Sequence, residues 1–169
     1  CMSFKTITDL YGLSIKEFIE KALEEDLGSG DHTSLATIPE DARSKAIVKV
    51  KEWGIIAGLV VADQILNQVD GSTIVKVLVG EGTAVMAGDE VIHIEGKTRS
   101  LLKAERLMLN CMQRMSGIAT KTSALMKLIE GTSARLLDTR KTTPNFRLFE
   151  KWAVAIGGGT NHRFGLYDM

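Results

Sequence analysis

A chain of 169 residues with 44% hydrophobic content is long enough to bury a core and to fold as one domain or two small ones. Its 21 basic and 21 acidic residues cancel, which excludes the broad basic face of a general nucleic-acid or membrane-surface binder and makes any anion site local. Cys1 and Cys111 imply neither a disulfide framework nor a metal cluster, no run approaches the roughly 20 apolar residues of a membrane span, and the start lacks a basic-then-apolar leader, so a reduced, cytoplasmic setting is expected.

Taken in chain order, residues 13–18 fit a capping box, with Ser14 as N-cap, Glu17 reaching back and Leu13 stapled to Phe18; a helix is predicted to begin there. Its apolar positions Ile15, Phe18, Ile19, Ala22 and Leu23 run to the turn at Gly28-Ser29-Gly30-Asp31. Asp26, Asp31 and His32 crowd that turn, where aspartate forms turns far more often than it binds metal. Residues 44–50 alternate Ala46, Val48 and Val50 with Lys45 and Lys49, the pattern of a half-buried strand. Residues 59–69 suit a short helix, 73–79 another strand, and 85–94 two short strands around Ala87-Gly88-Asp89, with His93 on the polar side. That last hairpin is also the shape of a carrier domain displaying a modified lysine, yet no lysine occurs between Lys76 and Lys97.

A long helix is predicted from Ser100, with an apolar stripe of Leu101, Ala104, Met108, Cys111, Met112, Met115 and Ala119. Arg99, Lys103, Arg106, Asn110 and Gln113 form a second, polar stripe. Gly117 weakens the helix and Gly131 closes the helical region before a short strand at 134–137. A helix near 146–156 and the approach to another strand around Leu166 follow. Two cation-bearing segments flank that last helix. In DTRKTTP, Asp138 to Lys141 sit where a strand ends and a loop begins, the position of ligand sites in α/β folds. In GGGTNHR, Gly157 to Gly159 precede Asn161-His162-Arg163 and give a backbone able to approach a ligand closely. Arg140, Lys141, His162 and Arg163 together can surround a polyanion; Asp138 reads as a strand-end residue that pairs locally, and Thr142 and Thr143 as loop formers.

Four separated blocks, EDLGSGDHTS, LLKAERLMLNCMQRMSGIAT, LLDTRKTTP and WAVAIGGGTNHRFGLYDM, closely resemble the quinolinate phosphoribosyltransferases, in that family's order and over nearly the whole chain. The resemblance implies an α+β N-terminal sandwich-like domain, 1–103, followed by the beginning of an α/β barrel, 104–169, left incomplete in this chain. It implies transfer of phosphoribosyl from phosphoribosyl pyrophosphate to quinolinate with loss of carbon dioxide, giving nicotinate mononucleotide on the route to NAD. Carried over motif by motif, Thr139, Arg140, Lys141, His162 and Arg163 are substrate-binding positions. Lys141 and His162 are also the catalytic candidates. His162 has three open roles: contacting a carboxylate, orienting a neighbour, or ordering the loop. Arg106, in the AER motif, resembles the arginine that one subunit inserts into its neighbour's site, so a homodimer or higher even oligomer is implied.

Magnesium is expected as a partner of the diphosphate and not at a dedicated protein site. Pro144-Asn145 stands where the family commonly has Pro-Gly, and asparagine tolerates the same left-handed turn. Family members continue beyond Met169 into further barrel strands, so the 169 residues are read as the N-terminal part of a longer enzyme, inactive alone. The competing readings are a same-fold paralogue acting on another acid, of the molybdenum-transport-associated type, and a non-catalytic fragment.

Overall fold

The computed structural model describes residues 4–168, with side chains from residue 15 onward. It opens with helix α1 (Phe4–Leu27) and a short helix α2 (His32–Thr37). Helix α1 runs without a break through Ser14, so the capping-box start is corrected; Phe4, Ile7, Leu10 and Tyr11 already recur at helical spacing upstream of it. The side chains of Leu13 and Ser14, like Cys1 and Met169, lie outside the described residues. The Asp31 carboxylate caps α2 by accepting from the Ser34 N–H at 3.0 Å, and His32 Nε2 meets Ser29 Oγ at 3.1 Å, which is turn and cap chemistry.

Strands β1 (Arg43–Lys49), β2 (Gly54–Ile55), β3 (Ile74–Val77), β4 (Ala84–Val85) and β5 (Glu90–Lys97), with helix α3 (Leu59–Val69), complete the N-terminal α+β region. The antiparallel sheet has the order β1-β5-β3, and its register sets Ala46 and Val75 beside Ile94, and Val48 and Val77 beside Ile92. Alternation therefore sends these aliphatics to one face and Lys45, His93, Glu95 and Lys76 to the other. Lys45 and Glu95 pair at 3.3 Å, and His93 meets Glu90 at 2.7 Å, so this histidine is structural. Because β1 is an edge, Ala46 stays exposed and Val48 only half-buried, less covered than the alternating pattern implies. The two strands either side of Gly88 form as expected but do not pair with each other. β4 pairs with β2, and β5 with β1 and β3.

Helix α4 (Thr98–Leu128) is the central strut, and all seven residues of its apolar stripe are buried. Gly117 does not interrupt it. Small polar groups on α4 take the backbone of the N-terminal region: Thr120 Oγ1 accepts from the Ile55 N–H at 2.8 Å, and Ser116 Oγ from the Ala57 N–H at 2.9 Å. Gly58, at φ 90°, sits so close that a Cβ there would lie 3.2 Å from Met112 Cα. The backbone N–H groups of Gly58 and Val60, at the start of α3, donate to the Glu81 carboxylate at 3.0 Å each, while burial pushes the Glu81 carboxyl above its ordinary value. The Cys111 thiol is buried and pushed up to about 12, so it packs and does not react.

Beyond Gly131, at φ 79°, the chain reaches helix α5 (Arg147–Ile156). The strand predicted at 134–137 is reduced to one parallel bridge, Leu137 with Thr160, made by Thr160 N–H to Leu136 O at 2.9 Å and Asp138 N–H to Thr160 O at 3.1 Å. This strand–helix–strand connection is the parallel crossover unit of α/β folds. No strand forms around Leu166; the Phe164 N–H donates to Asp168 Oδ2 at 2.9 Å, curling 164–168 into a turn that leaves Leu166 exposed. Phe18 of α1 packs against Phe146 and Phe149 with ring centroids 5.6 and 4.6 Å away, fixing α5 to the rest of the molecule. Among the described residues no helix is long and apolar enough to cross a membrane.

Candidate active site

Both cation-bearing loops leave the C-terminal side of the Leu137–Thr160 bridge, so the parallel pairing delivers 138–143 and 161–164 to the same end of the unit. In the first loop Thr139 Oγ1 accepts from the Lys141 N–H at 3.0 Å, and the Thr142 N–H donates to Arg140 O at 3.0 Å. The loop then turns at Asn145, whose φ of 62° is the left-handed conformation expected for it.

Asp138 joins the two loops. Its Oδ1 accepts from the His162 N–H at 2.8 Å and from Lys151 Nζ at 2.5 Å, and its Oδ2 from Asn161 Nδ2 at 2.7 Å. The ammonium of Lys151 is enclosed, with 1% of its side chain exposed against 6% for Asp138. It also donates to His162 O at 3.2 Å and lies 4.9 Å from the centre of the Phe164 ring. Arg147 makes a second tie, from Nε to Thr142 Oγ1 at 2.9 Å and from Nη1 to Phe164 O at 2.8 Å, with Nη2 3.4 Å from Arg140 O.

Glu150 anchors the far end of the first loop. Thr143 donates to it through both N–H (3.2 Å) and hydroxyl (2.8 Å), and Arg114 of α4 through Nη2 at 2.7 Å. Burial works against the charged carboxylate; the Arg114 guanidinium and the two Thr143 donors outweigh it and hold the carboxyl below its usual range.

The cations thus divide by use. Lys151, Arg147 and Arg114 are engaged by protein acceptors. Among the described residues the side chains of Lys141, His162 and Arg163 make no hydrogen bond or ion pair, and Arg140 Nε is buried without a partner. A buried, unpaired guanidinium N–H is costly, and a ligand oxygen would relieve it. Thr139 keeps its hydroxyl hydrogen to donate. The glycines behave otherwise than expected. Gly157 and Gly159 are spent on packing, since a Cβ on Gly157 would meet Ala119 O at 2.5 Å and one on Gly159 would meet Val154 Cγ1 at 2.7 Å and Thr122 Cγ2 at 3.0 Å. Close approach to helices is reason enough for these two glycines.

Arg106 is exposed on α4 and has no partner among the described residues. Among the described residues nothing connects it to the loops; Arg114, which does touch the first loop at Thr143, lies two turns further on, about 12 Å along the axis. The polar stripe is not uniform either. Arg99 is a clasp on the C-terminus of α2, donating through Nε to Ile38 O at 2.8 Å and through Nη2 to Leu35 O at 3.3 Å.

The family's N-terminal-domain model, quinolinate phosphoribosyl transferase, matches residues 31–116, and its C-terminal-domain model matches 118–169. This chain belongs to the quinolinate phosphoribosyl transferase family. The chloroplastic nicotinate-nucleotide pyrophosphorylase [carboxylating] of Oryza sativa subsp. japonica is 47% identical over 156 residues, 92% of this chain and 42% of that protein. Its counterpart in Mycobacterium leprae is 42% identical over 90% of this chain and 55% of its own length. The crystal structure of NadC from Streptococcus pyogenes superposes with a TM-score of 0.89 at 39% identity, covering 92% of this chain and 55% of that one. The chain therefore spans about half the length of the relatives it matches.

At this candidate site, sequence reasoning missed four residues that hold the loops, Lys151, Arg147, Glu150 and Arg114, and named Asn161 only as a neighbour of the loop glycines. The one available signal was in FEKWAVA, where a glutamate and a lysine interrupt an otherwise apolar stretch.

Proposed function

We propose that the protein carrying this chain transfers phosphoribosyl from phosphoribosyl pyrophosphate to the ring nitrogen of quinolinate, releasing diphosphate and carbon dioxide and leaving nicotinate mononucleotide for NAD biosynthesis. The observation that carries the reading is the buried, partnerless Nε of Arg140, on loops that also carry Lys141, His162 and Arg163 with no side-chain partner among the described residues. A dicarboxylate and a phosphorylated diphosphate are the kind of polyanions such a cluster binds. Arginine grips a carboxylate or phosphate with two parallel hydrogen bonds, and lysine supplies a point charge.

As the carbon–oxygen bond to diphosphate breaks and the carbon–nitrogen bond forms, positive charge grows on the ribose and negative charge on the leaving diphosphate. The ring carbon that loses carbon dioxide takes up a proton. In this reading Thr139, Arg140, Lys141, His162 and Arg163 bind and orient the substrates, and Lys141 and His162 also offset charge at the reacting centre. Arg106 has no acceptor among the described residues of its own chain and is assigned to the site of a neighbouring subunit in a homodimer or higher even oligomer. Magnesium belongs to the diphosphate: both oxygens of Asp138, the carboxylate between the loops, are committed to Lys151, Asn161 and His162, so these residues do not fit a protein-held ion. A reducing, cytoplasmic compartment accords with the free, buried Cys111, although the rice relative is described as chloroplastic.

The test is to incubate the full-length protein with quinolinate, phosphoribosyl pyrophosphate and magnesium, following nicotinate mononucleotide and carbon dioxide, alongside a panel of other aromatic acids. Formation of both products is expected. Their absence at saturating substrates, or a preference for another acid, would overturn the assignment.

A further inference from the structure

A single parallel bridge is all the backbone pairing between the segments that carry the two cation loops, and beyond it nothing in the main chain keeps them at one separation. The separation is set by side chains. Asp138 immediately precedes Thr139-Arg140-Lys141 and at the same time receives the backbone N–H of His162, so this carboxylate ties the roots of the two loops, while Arg147 spans them further out, from Thr142 Oγ1 to the Phe164 carbonyl. That carboxylate is in turn fixed by Lys151, projecting from the connecting helix, and by Asn161.

Resting on the functional reading above, we propose that Asp138 and Lys151 are a positioning pair: they set the span between Arg140-Lys141 and His162-Arg163, and thereby the fit of a pyridine dicarboxylate between the loops. Lys151 is not itself a substrate ligand. Its ammonium is enclosed and already engaged by Asp138, the His162 carbonyl and the Phe164 ring, so it reaches a bound anion only by abandoning a buried carboxylate.

Stability alone is a poor reason for such a pair. Two charges withdrawn from water recover their desolvation cost only in part, and an apolar pair of similar volume often serves as well; losing one partner is far worse, because it strands the other charge. An apolar pair cannot reproduce direction, however. It offers no oxygen to the His162 N–H and no donor to the His162 carbonyl, and misplacing a substrate-holding group by about 1 Å can cost on the order of 100-fold in rate.

The experiment compares Lys151→Met, Asp138→Leu and the double variant in the full-length protein. It measures kcat, KM for each substrate, the urea unfolding midpoint, and quinolinate affinity by calorimetry. Lys151→Met is expected to lower both the midpoint and kcat/KM, the latter by about 100-fold. In the double variant the midpoint should return towards the wild-type value, because no charge is stranded, while kcat/KM stays at least about 30-fold down and quinolinate binds at least about tenfold more weakly. Activity that recovers together with the midpoint would reduce the pair to a structural role and overturn the proposal, as would wild-type KM and kcat in either single variant.

Should Lys151→Met not fold, Asn161→Ala removes one arm of the network at a half-exposed position. A fall in kcat/KM of about tenfold at an unchanged midpoint is then expected, and unchanged kinetics refute positioning. Failure of the functional reading is distinguishable, because it appears as wild-type protein that makes no nicotinate mononucleotide. The pair is then judged by whether Lys151→Met weakens binding of inorganic diphosphate, which positioning requires.

Discussion

Gly157 lies directly against the carbonyl oxygen of Ala119, so close that a Cβ at position 157 would stand 2.5 Å from that oxygen and 2.7 Å from Thr122 Cβ. The contact locks the C-terminus of α5 onto the middle of α4, immediately upstream of the loop that carries His162 and Arg163. Its φ of −73° is ordinary for any residue, so the requirement for glycine is one of space and not of backbone conformation. Gly157→Ala forces backbone against backbone and should destabilise by about 1 to 3 kcal/mol, read as a lower urea midpoint at unchanged slope. Gly117→Ala is the opposite case: a helix-interior glycine with open space around its missing Cβ. It should gain about 0.5 to 1 kcal/mol. A Gly157→Ala protein as stable as wild type would show that α4 and α5 can separate freely.

Glu150 gives the fold an acid-sensitive point. Its carboxyl is held below the ordinary glutamate value of 4.5 in the folded protein, by Arg114 and Thr143 against the opposing effect of burial. The sign follows from proton uptake: near and below its ordinary value the unfolded chain binds the proton more readily than the folded one. The stabilising contribution is therefore complete above about 4.5 and is lost as pH falls through the depressed folded value. Between about pH 6 and pH 3 the wild-type midpoint should fall more steeply than that of Glu150→Gln, which has no proton to take up. Parallel pH profiles would exclude Glu150 as a source of the acid sensitivity.

The elements that could be read from sequence are those whose pattern is long. The stripe from Leu101 to Ala119 spans five turns, and its period alone identified seven of the eight residues that α4 buries, Thr122 being the exception. Two-residue pairings carry no such period, so nothing in Gly54-Ile55 or Ala84-Val85 announced that they pair with each other, nor that the strands flanking Gly88 do not. The site divided in the same way. Arg140, Lys141, His162 and Arg163 were legible because loop cations beside a strand end have few structural uses. Lys151 was not, because a lysine in a helix ordinarily points to water, and its burial depends on a carboxylate 13 residues away meeting it at 2.5 Å. Gly157 and Gly159 carry a second meaning for a physical reason: close approach to a neighbouring helix needs the same missing side chain as close approach to a ligand, while Gly158, at φ 92°, serves the backbone turn.

Arg140 should be the least replaceable of the loop cations, since part of its guanidinium is already desolvated and waiting for an acceptor. Arg140→Ala is expected to cost about 1.5 to 3 kcal/mol of transition-state stabilisation, roughly 10- to 150-fold in kcat/KM. Arg43→Ala, on the edge strand β1 and outside both loops, should leave kcat/KM unchanged. Arg140→Lys should also be impaired, because an ammonium cannot reproduce a two-pronged grip and has no N–H at the buried position. Steady-state kinetics on the three variants decides the matter, and full activity in Arg140→Lys would remove the bidentate element.

Arg106 allows a test that separates a local from a shared site. It is exposed and without an acceptor among the described residues of its own chain, and α4 carries it about 12 Å from Arg114, the nearest α4 residue that touches the loop. If it completes a neighbour's site, each active site of a dimer contains Arg106 from one subunit and Arg140 from the other. Arg106→Ala and Arg140→Ala homodimers are then both defective at every site. Mixing them under conditions that permit exchange creates heterodimers in which one site carries both defects and the other carries neither. With equal amounts and random exchange, half of the dimers are mixed and each has one intact site, so activity should return to about a quarter of the wild-type value per subunit. A local role for Arg106 predicts no gain, because each subunit would keep its own defect. Tagged subunits recovered together would establish that exchange took place, and co-recovery without any rise in nicotinate mononucleotide formation would place Arg106 outside the neighbour's site.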